Sequence, residues 1–370
     1  MKNNIPQIFK FNLIFTEKVV GKIKKIKMEK IVVITNSLAD DLIGLRMLLK
    51  ELVKRKVEEK NIFILSTTLK LDARDASDTC KVSDILNEII KPIYPNLSCN
   101  ISCQPPQSSL GEREGKEEEY ENQDKCSIDK MCQFILSSKK DESVDILLLA
   151  PATNFSSCVT DQLAASQKQK VRSIWSWGGL SSSAASASTI KETVDSKTLA
   201  SDNWKNGTNE MIHLLNWTQQ NNIPFFICTP AIYQTTLPLF NLSKSYKSPT
   251  LNEENCPIFI KILEENKELN LITTSIKLQN MTTSSIVGAI TLQFTPASSL
   301  AVATYLWPNE MVTNYADNCE KIFVDENGFV TRLATLAEDK DGKEVEEESL
   351  SISFINEINY NFFVDRLCEL

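Results

Sequence analysis

The chain has 370 residues, of which 42% are hydrophobic and 24% charged, an ordinary balance for a globular protein with a full core. Its formal charge of -8 argues against a general nucleic-acid binder, because phosphate contacts require a clustered basic surface. No apolar run in the sequence is long enough to predict a transmembrane helix.

Residues 1–28 form a basic N-terminal extension that differs from the rest of the chain. The extension carries seven lysines and a single acidic residue, Glu17, with apolar residues between them. Three interpretations stay open: a targeting peptide, an arm that binds a membrane or a partner protein, or a start site upstream of the true one at Met28.

The cysteines argue against a structural metal cluster. Ten cysteines are scattered along the chain without a C-x-x-C pair, and His213 is the only histidine. A zinc cluster needs several such ligands at close spacing. Because no clean signal peptide precedes the cysteines, we expect them to be reduced and the protein to be intracellular, either mitochondrial or cytoplasmic.

The predicted elements alternate between strand and helix. Lys30–Thr35 is a run of β-branched residues typical of a strand buried on both faces. Leucines at helical spacing follow it, and Asp40 and Asp41 stand where a helix N-terminus favours negative charge. The alternation continues with predicted strands at 61–66, 145–150, 172–177 and 224–228 and predicted helices near 82–90 and 210–217. This pattern predicts an α/β protein with a doubly wound, mostly parallel sheet and helices on both faces.

Residues 104–124 interrupt the alternation. They are acidic and lack β-branched residues, so they have little apolar surface to bury. We expect a disordered surface loop, including the run Glu117, Glu118 and Glu119, within a single domain of residues 29–370. Toward the end of the chain, an Asn-Gly pair at 327–328 predicts a hairpin between strands at 321–324 and 330–337. A last helix is predicted at 359–370.

Five segments, in order along the chain, resemble motifs of the inosine-uridine preferring nucleoside hydrolase family. ITNSLADD at 34–41 resembles the D-T-D-P-G-x-D-D motif, and LAPATN at 149–154 resembles the G-P-L-T-N turn. WGG at 177–179 resembles M-G-G, the segment from Asn203 resembles E-F-N, and LAVA at 300–303 resembles the stretch after the family's His-Asp pair. The resemblance extends from about residue 29 to the end of the chain and implies a sheet of nucleoside-hydrolase type.

The resemblance also implies that the catalytic groups are lost. In the family, a calcium ion holds a water and the ribose hydroxyls, and a metal-binding aspartate removes the proton of that water. Asn36 stands at this aspartate, and an amide cannot accept a proton. Ala297 and Ser298 replace the His-Asp pair, removing the leaving-group histidine and a metal carboxylate. Ile34 replaces the first aspartate of the motif, and Leu38 its glycine.

Some positions of the resemblance are retained. Asp41 matches a calcium ligand, and Thr153 matches the residue whose backbone carbonyl binds the metal. Asp40 and Asn203 match substrate ligands, although Ser201 replaces the glutamate of E-F-N. A plainer interpretation of Asp40 and Asp41 is a pair of acids that stabilises the start of a helix.

We therefore expect a catalytically inactive, nucleoside-hydrolase-like protein that serves as a structural or interaction subunit of a larger assembly. Protein partners, with a homo-oligomer as one form, are expected, whereas nucleic acid is not. No cofactor is expected; calcium would bind only under the first of two alternatives, an active purine or pyrimidine nucleoside N-ribohydrolase with a rebuilt site. The second alternative is a nucleoside or ribose binder that does not cleave.

Overall fold

The computed structural model describes residues 30–36, 39–68, 83–84, 86–103, 117–138, 142–161, 163, 170–178, 204, 207–228, 297–316, 321–324, 330–333 and 352–370. The strands in these residues are β1 (Lys30–Thr35), β2 (Ile62–Thr68), β3 (Cys99–Cys103), β4 (Val144–Leu148), β5 (Val171–Trp177), β6 (Phe225–Cys228), β7 (Val312–Ala316), β8 (Lys321–Val324), β9 (Val330–Leu333) and β10 (Ile352–Ile358). The helices are α1 (Ala39–Lys54), α2 (Glu117–Leu136), α3 (Thr153–Asp161), α4 (Thr208–Gln220), α5 (Ala297–Leu306), α6 (Pro308–Met311) and α7 (Tyr360–Cys368). Residues 83–84 and 86–90 are also helical.

The central sheet has eight strands in the order β3-β2-β1-β4-β5-β6-β10-β7. All neighbouring strands are parallel except β7, which runs antiparallel to β10 at one edge. Every residue of β1, β4 and β6 is buried, as expected for strands covered on both faces. The predicted doubly wound, mostly parallel sheet is therefore confirmed.

The two faces of the sheet carry separate hydrophobic cores. Ile31 and Val33 of β1 point into one core with residues of α1, α5 and α7, while Val32 and Ile34 point into the other with residues of α2, α3 and α4. This division follows from the pleat, because successive side chains of a strand lie on opposite faces. The alternating residues of β1 thus hold both helical layers in place.

Helix α5 packs closely against α1 because the contact surface contains a glycine. A Cβ atom at Gly44 would lie 3.1 Å from Val302 Cγ2 and 3.2 Å from Ser299 Cα. Apart from Ala297, all residues of α5 are buried, and most are apolar. The close approach brings the start of α5 to the start of α1, where the site described below is located.

A buried polar cluster ties the other end of α5 to the sheet. The Asp145 carboxylate of β4 is fully buried and accepts hydrogen bonds from Arg172 Nε at 2.8 Å and Ser173 Oγ at 2.7 Å, both on β5. Arg172 Nη2 also contacts Asp145 Oδ2, and the Tyr305 hydroxyl of α5 donates to the same oxygen at 2.9 Å. Burial and the adjacent Asp145 raise the pKa of Tyr305 well above its ordinary value.

Part of the segment that was predicted to be a disordered loop is helical. Residues 117–124, expected as part of the loop at 104–124, form the first two turns of α2, whereas residues 104–116 lie outside the described residues. Glu117, Glu118 and Glu119 begin this helix, and glutamate has good helix propensity.

Three strands of the sheet, β3, β7 and β10, were not predicted. β3 has the sequence CNISC and β10 has ISFINEI, and neither contains a long β-branched or apolar run. Both are specified by their partners: β3 pairs with β2, and β10 lies between β6 and β7. The predicted hairpin strands 321–324 and 330–337 are present as the antiparallel pair β8–β9, with β9 ending at Leu333, and the predicted last helix is α7.

The cysteine prediction was wrong at two positions. Cys132 of α2 and Cys158 of α3 are paired as a disulfide, with Cα atoms 5.8 Å apart, although the sequence led us to expect reduced cysteines. Cys99, Cys126 and Cys228 have free thiols. Sequence spacing did not indicate the pair because only the packing of α2 on α3 brings the two residues together.

None of the described helices has the length and apolar character needed to cross a bilayer. The basic extension of residues 1–28 lies outside the described residues, so its three interpretations stay open.

The Asp145 cluster gives a stability prediction. Asp145→Asn leaves the partly buried Arg172 without its counter-charge, and should lower the free energy of unfolding by about 2–3 kcal/mol in urea denaturation. Asp84→Asn, at an exposed aspartate, is the control and should change stability by less than about 0.5 kcal/mol. A loss no larger than that of the control would contradict the importance of the cluster.

Candidate functional site

The predicted site residues that the structure describes lie near the carboxyl ends of the parallel strands. The chain proceeds from β1 to β2 and β3 on one side, then returns to β4 on the other side of β1. Ligands of doubly wound sheets bind in the crevice at such a reversal. Asn36 follows β1 directly, and the turn to Thr153 follows β4, whose Leu148 pairs with Ile34.

Asn36 is held in place by two hydrogen bonds. Its side-chain Oδ1 accepts a hydrogen bond from the Thr67 hydroxyl of β2 at 3.1 Å, and its backbone N–H donates to Asp41 Oδ2 at 2.9 Å. The residue is 8% exposed. Asn36 therefore presents a neutral, already bonded amide where the resemblance implies a general base.

Asp41 shapes the loop between β1 and α1. Its side chain is 1% exposed and lies in the first turn of α1. By accepting the Asn36 N–H, the carboxylate satisfies a buried backbone donor, and its charge is favourable at the start of the helix. The geometry thus gives Asp41 a structural task, in agreement with the plainer interpretation of this acid.

Asp40 connects α1 to α5. Its carboxylate Oδ2 accepts a hydrogen bond from the Ser298 backbone N–H at 3.1 Å, and its backbone carbonyl accepts one from the Ser299 hydroxyl at 2.6 Å. Burial raises the pKa of Asp40, and hydrogen bonds from the Ser298 backbone and side chain partly oppose that shift. Asp40 acts as a cap for α5 that comes from another helix.

Thr153 is the first residue of α3, and its surroundings are tightly packed. Its backbone carbonyl accepts a hydrogen bond from the Ser157 hydroxyl at 3.1 Å. A Cβ atom at Gly207, just before α4, would lie 3.4 Å from Thr153 Oγ1. The neighbouring Asn154 donates from Nδ2 to Ser102 Oγ of β3 at 3.1 Å.

The remaining predicted positions are less well connected. Ala297 begins α5 next to Ser298, where the resemblance places a histidine. Asn203, Ser201 and Leu38 lie outside the described residues. His213, on an exposed position of α4, is hydrogen-bonded through Nδ1 to Ser156 Oγ at 3.1 Å.

Cys228 does not offer a nucleophile in place of the lost groups. Its thiol, at the end of β6, lies 3.1 Å from the Thr304 hydroxyl. Burial raises the pKa of Cys228 to about 12. The thiolate is the nucleophilic form, so this residue is unreactive at neutral pH.

The predicted metal positions carry little charge for a calcium ion. Calcium takes six to eight oxygen ligands and gains affinity from their charge. Among the predicted metal positions, only Asp41 carries a charge, and its Oδ2 accepts the Asn36 N–H. The Asn36 Oδ1 and the Thr153 carbonyl also accept hydrogen bonds from hydroxyl groups. Within the described ranges, no group of three or more His, Cys, Asp or Glu residues is placed to hold a metal.

Two residues of the site were not identified from the sequence. Thr67 fixes the Asn36 amide, and Ser299 fixes the start of α1. A signal for Thr67 was present, because the polar triplet Ser66-Thr67-Thr68 follows an apolar predicted strand. Parallel strands end at one edge, so that triplet belongs beside the loop after β1.

Comparison with known proteins identifies the fold. No protein-family model and no curated protein match the sequence. Among solved structures, an inosine-guanosine nucleoside hydrolase matches with a TM-score of 0.55 and 12% identity, over 92% of this chain and 98% of that one. A plant nucleoside hydrolase matches with a TM-score of 0.51 and 11% identity, over 92% and 98% of the two chains. At these identities the likeness shows the fold alone, which is that of the nucleoside hydrolases.

The raised pKa of Asp40 gives a prediction with a definite sign. A carboxyl with a raised folded-state pKa contributes most to stability below its ordinary pKa of 3.8, and the contribution is lost as pH rises through the raised value. Asp40→Asn keeps an oxygen for the Ser298 N–H but cannot ionise. In urea unfolding, the stability of this variant relative to the unmodified protein should therefore increase from pH 4 to pH 7.

The matched control for this experiment is Asp365→Asn, at an exposed aspartate of α7. If the relative stability of Asp40→Asn follows that of the control at every pH, burial of the Asp40 carboxylate has no energetic consequence and our account of the α1–α5 contact is wrong.

Proposed function

We propose that this chain is a protein of nucleoside-hydrolase fold that does not hydrolyse nucleosides and that acts through contacts with other proteins. The observation that carries the first part is the state of Asn36. Where the resemblance implies the aspartate that takes a proton from water, the chain has an amide whose oxygen is bonded to Thr67. An amide oxygen has no useful basicity at neutral pH, so the first step of the hydrolysis lacks its acceptor.

The two remaining acids support the same proposal. Asp41 is bonded to the backbone of Asn36, and Asp40 is bonded to the backbone of Ser298. Both carboxylates stabilise helix starts and the connection between α1 and α5. A change that freed either one for a ligand would leave a buried N–H group without its acceptor, which costs about 1–3 kcal/mol.

Action through protein contacts is proposed because the fold is maintained without those catalytic groups. A protein of this kind can still act through surface residues that bind other proteins. When the protein is isolated from its natural source, we expect to find either a stoichiometric partner or, by light scattering, a defined homo-oligomer. A monomer that co-purifies with no partner would contradict the proposal.

One observation favours a second candidate, the active N-ribohydrolase with a rebuilt site. A carboxyl whose pKa is raised by burial can transfer a proton closer to neutral pH than an ordinary one, and Asp40 meets this condition. Under this alternative, Asp40→Asn abolishes activity. Under the leading proposal, there is no activity to lose.

The first test is hydrolysis itself. Loss of a general base lowers the rate by about 10² to 10⁴, and loss of the metal's charge stabilisation lowers it further. Release of ribose from inosine, uridine, adenosine or cytidine by the purified protein should therefore not exceed the enzyme-free background, with or without calcium. Metal-dependent release that is abolished in Asp40→Asn or Asp41→Ala, but not in Asp365→Ala, would establish the second candidate.

The second test restores the charges of the implied calcium site. The unmodified protein should not bind calcium at micromolar concentrations in titration calorimetry. Its predicted metal positions supply about one carboxylate charge, whereas the resemblance implies about three in the family. Asn36→Asp combined with Ser298→Asp adds two carboxylates beside Asp40 and Asp41, whose mutual repulsion a cation would relieve. The double variant should therefore gain measurable calcium affinity and become more stable when calcium is added.

The matched control is Ser298→Asn, which adds a similar volume at the same position without charge. No gain of affinity in the double variant would mean that Asn36 and Ser298 are not the equivalents of metal ligands. Tight calcium binding by the unmodified protein would contradict the leading proposal.

A further inference from the structure

We propose that a surface at the junction of α1, α5 and α7 binds an acidic segment of a partner protein. This basic surface consists of Lys50 and Lys54 of α1, the following Arg55, Trp307 after α5, and Phe362 and Arg366 of α7. The inference rests on the proposed function, because it names the kind of protein that the chain contacts.

Charged contacts join the end of α1 to the end of α7. The carboxylate of Glu369 contacts Lys54 Nζ at 3.8 Å and Arg366 Nη1 at 2.6 Å. Lys50 Nζ donates to the backbone carbonyls of Glu369 and Leu370 at 2.5 Å and 3.0 Å. The cations of both helices therefore belong to one continuous surface.

Positive charge exceeds negative charge on the basic surface. In the described part of the chain, its four cations contact the side chains of two carboxylates, Glu51 and Glu369. Partial burial lowers the pKa of Lys50, and the charges of Arg46 and Lys54 lower it further, against the opposing effect of a carboxylate. This local excess of positive charge contrasts with the formal charge of -8 on the whole chain.

Two aromatic rings lie beside the cations. Trp307 and Phe362 are half-buried and pack edge to face, with ring centroids 5.8 Å apart. The guanidinium carbon of Arg366 lies 5.6 Å from the Trp307 centroid and 4.8 Å from that of Phe362. Arg55 reaches the same place, since its Nη2 donates to the Leu306 carbonyl at 2.7 Å. Tryptophan and arginine are the residue types that carry much of the binding energy at protein interfaces.

Arg366 has donors left for a carboxylate of a partner. Among the described residues, its guanidinium group donates one hydrogen bond, from Nη1 to Glu369, while Nε is buried without an acceptor. The side chain is 27% exposed, and a planar guanidinium group can bind a second carboxylate through Nη2. An acidic segment fits this surface because its carboxylates pair with the cations while an adjacent apolar side chain packs on the two rings.

The experiment measures binding of a fluorescein-labelled peptide, Glu-Asp-Glu-Phe-Asp-Glu, to the full chain by fluorescence anisotropy. The peptide should bind, and the affinity should fall as salt is added, because the cations are partly exposed. Arg366→Gln should weaken binding at least about tenfold, since it removes a charge-assisted hydrogen bond and a cation–π contact. Lys54→Gln, at a side chain that is 57% exposed, should weaken it about threefold and decides the test if Arg366→Gln does not fold.

The matched control is Lys130→Gln, at an exposed lysine of α2 on the opposite face of the sheet, and it should leave binding unchanged. Three results would overturn the inference: no binding of the peptide, an equal loss in the control, or equal binding of a peptide with lysine in place of each acid. Self-association of the free protein that Arg366→Gln abolishes would place a second copy on the surface and overturn the choice of partner.

Failure of this inference is distinguishable from failure of the proposed function. A native partner whose binding is unchanged in Arg366→Gln would exclude the basic surface and leave the proposed function standing. Release of ribose by the same preparation would contradict the proposed function, whereas its binding of the acidic peptide would still support the basic surface.

Discussion

The arrangement of the site depends on the hydrogen bond from the Ser298 backbone to the Asp40 carboxylate. The start of α5 needs acceptors for its first N–H groups, and a carboxylate that is partly removed from water needs donors. Each group satisfies the other at 3.1 Å. The contact forms because Gly44 lets the two helices approach closely. The raised pKa of Asp40 shows that the hydrogen bonds only partly compensate the removal of this charge from water.

Helix α5 is fixed at both ends by carboxylates from different elements. Asp40 of α1 binds its first turn, and Asp145 of β4 binds the Tyr305 hydroxyl in its last turn. Between them, residues 300–303 are buried and apolar, and such residues do not by themselves set the position of the helix along the sheet. The polar contacts supply that register, because hydrogen bonds are directional and hydrophobic packing is not.

The same residues show how acids beside the crevice can stabilise the fold. The motif resemblance placed Asp40 and Asp41 at ligand positions, and in the structure both accept hydrogen bonds from backbone N–H groups that would otherwise be buried without a partner. Such a residue stabilises the fold whether or not a substrate binds. Asn36 is the position where the two roles separate, since an amide maintains the hydrogen bond from Thr67 but cannot act as a base. An acid that is present in a motif is therefore only weak support for activity. The absence of the base is stronger evidence against activity.

The sequence by itself determined the parallel sheet, because β1, β4 and β6 are apolar runs whose burial on both faces is a local property of composition. The motif resemblance also led us to expect that Asn36, Ala297 and Ser298 stand where the nucleoside hydrolase motifs have ionisable groups. Only the tertiary structure decided that CNISC is a strand, that the acids at 117–119 begin a helix, that Thr67 binds Asn36 and that Cys132 faces Cys158. Except for the acids at 117–119, these features depend on a partner distant in the chain, and periodicity within a segment carries no information about which distant segment will lie beside it.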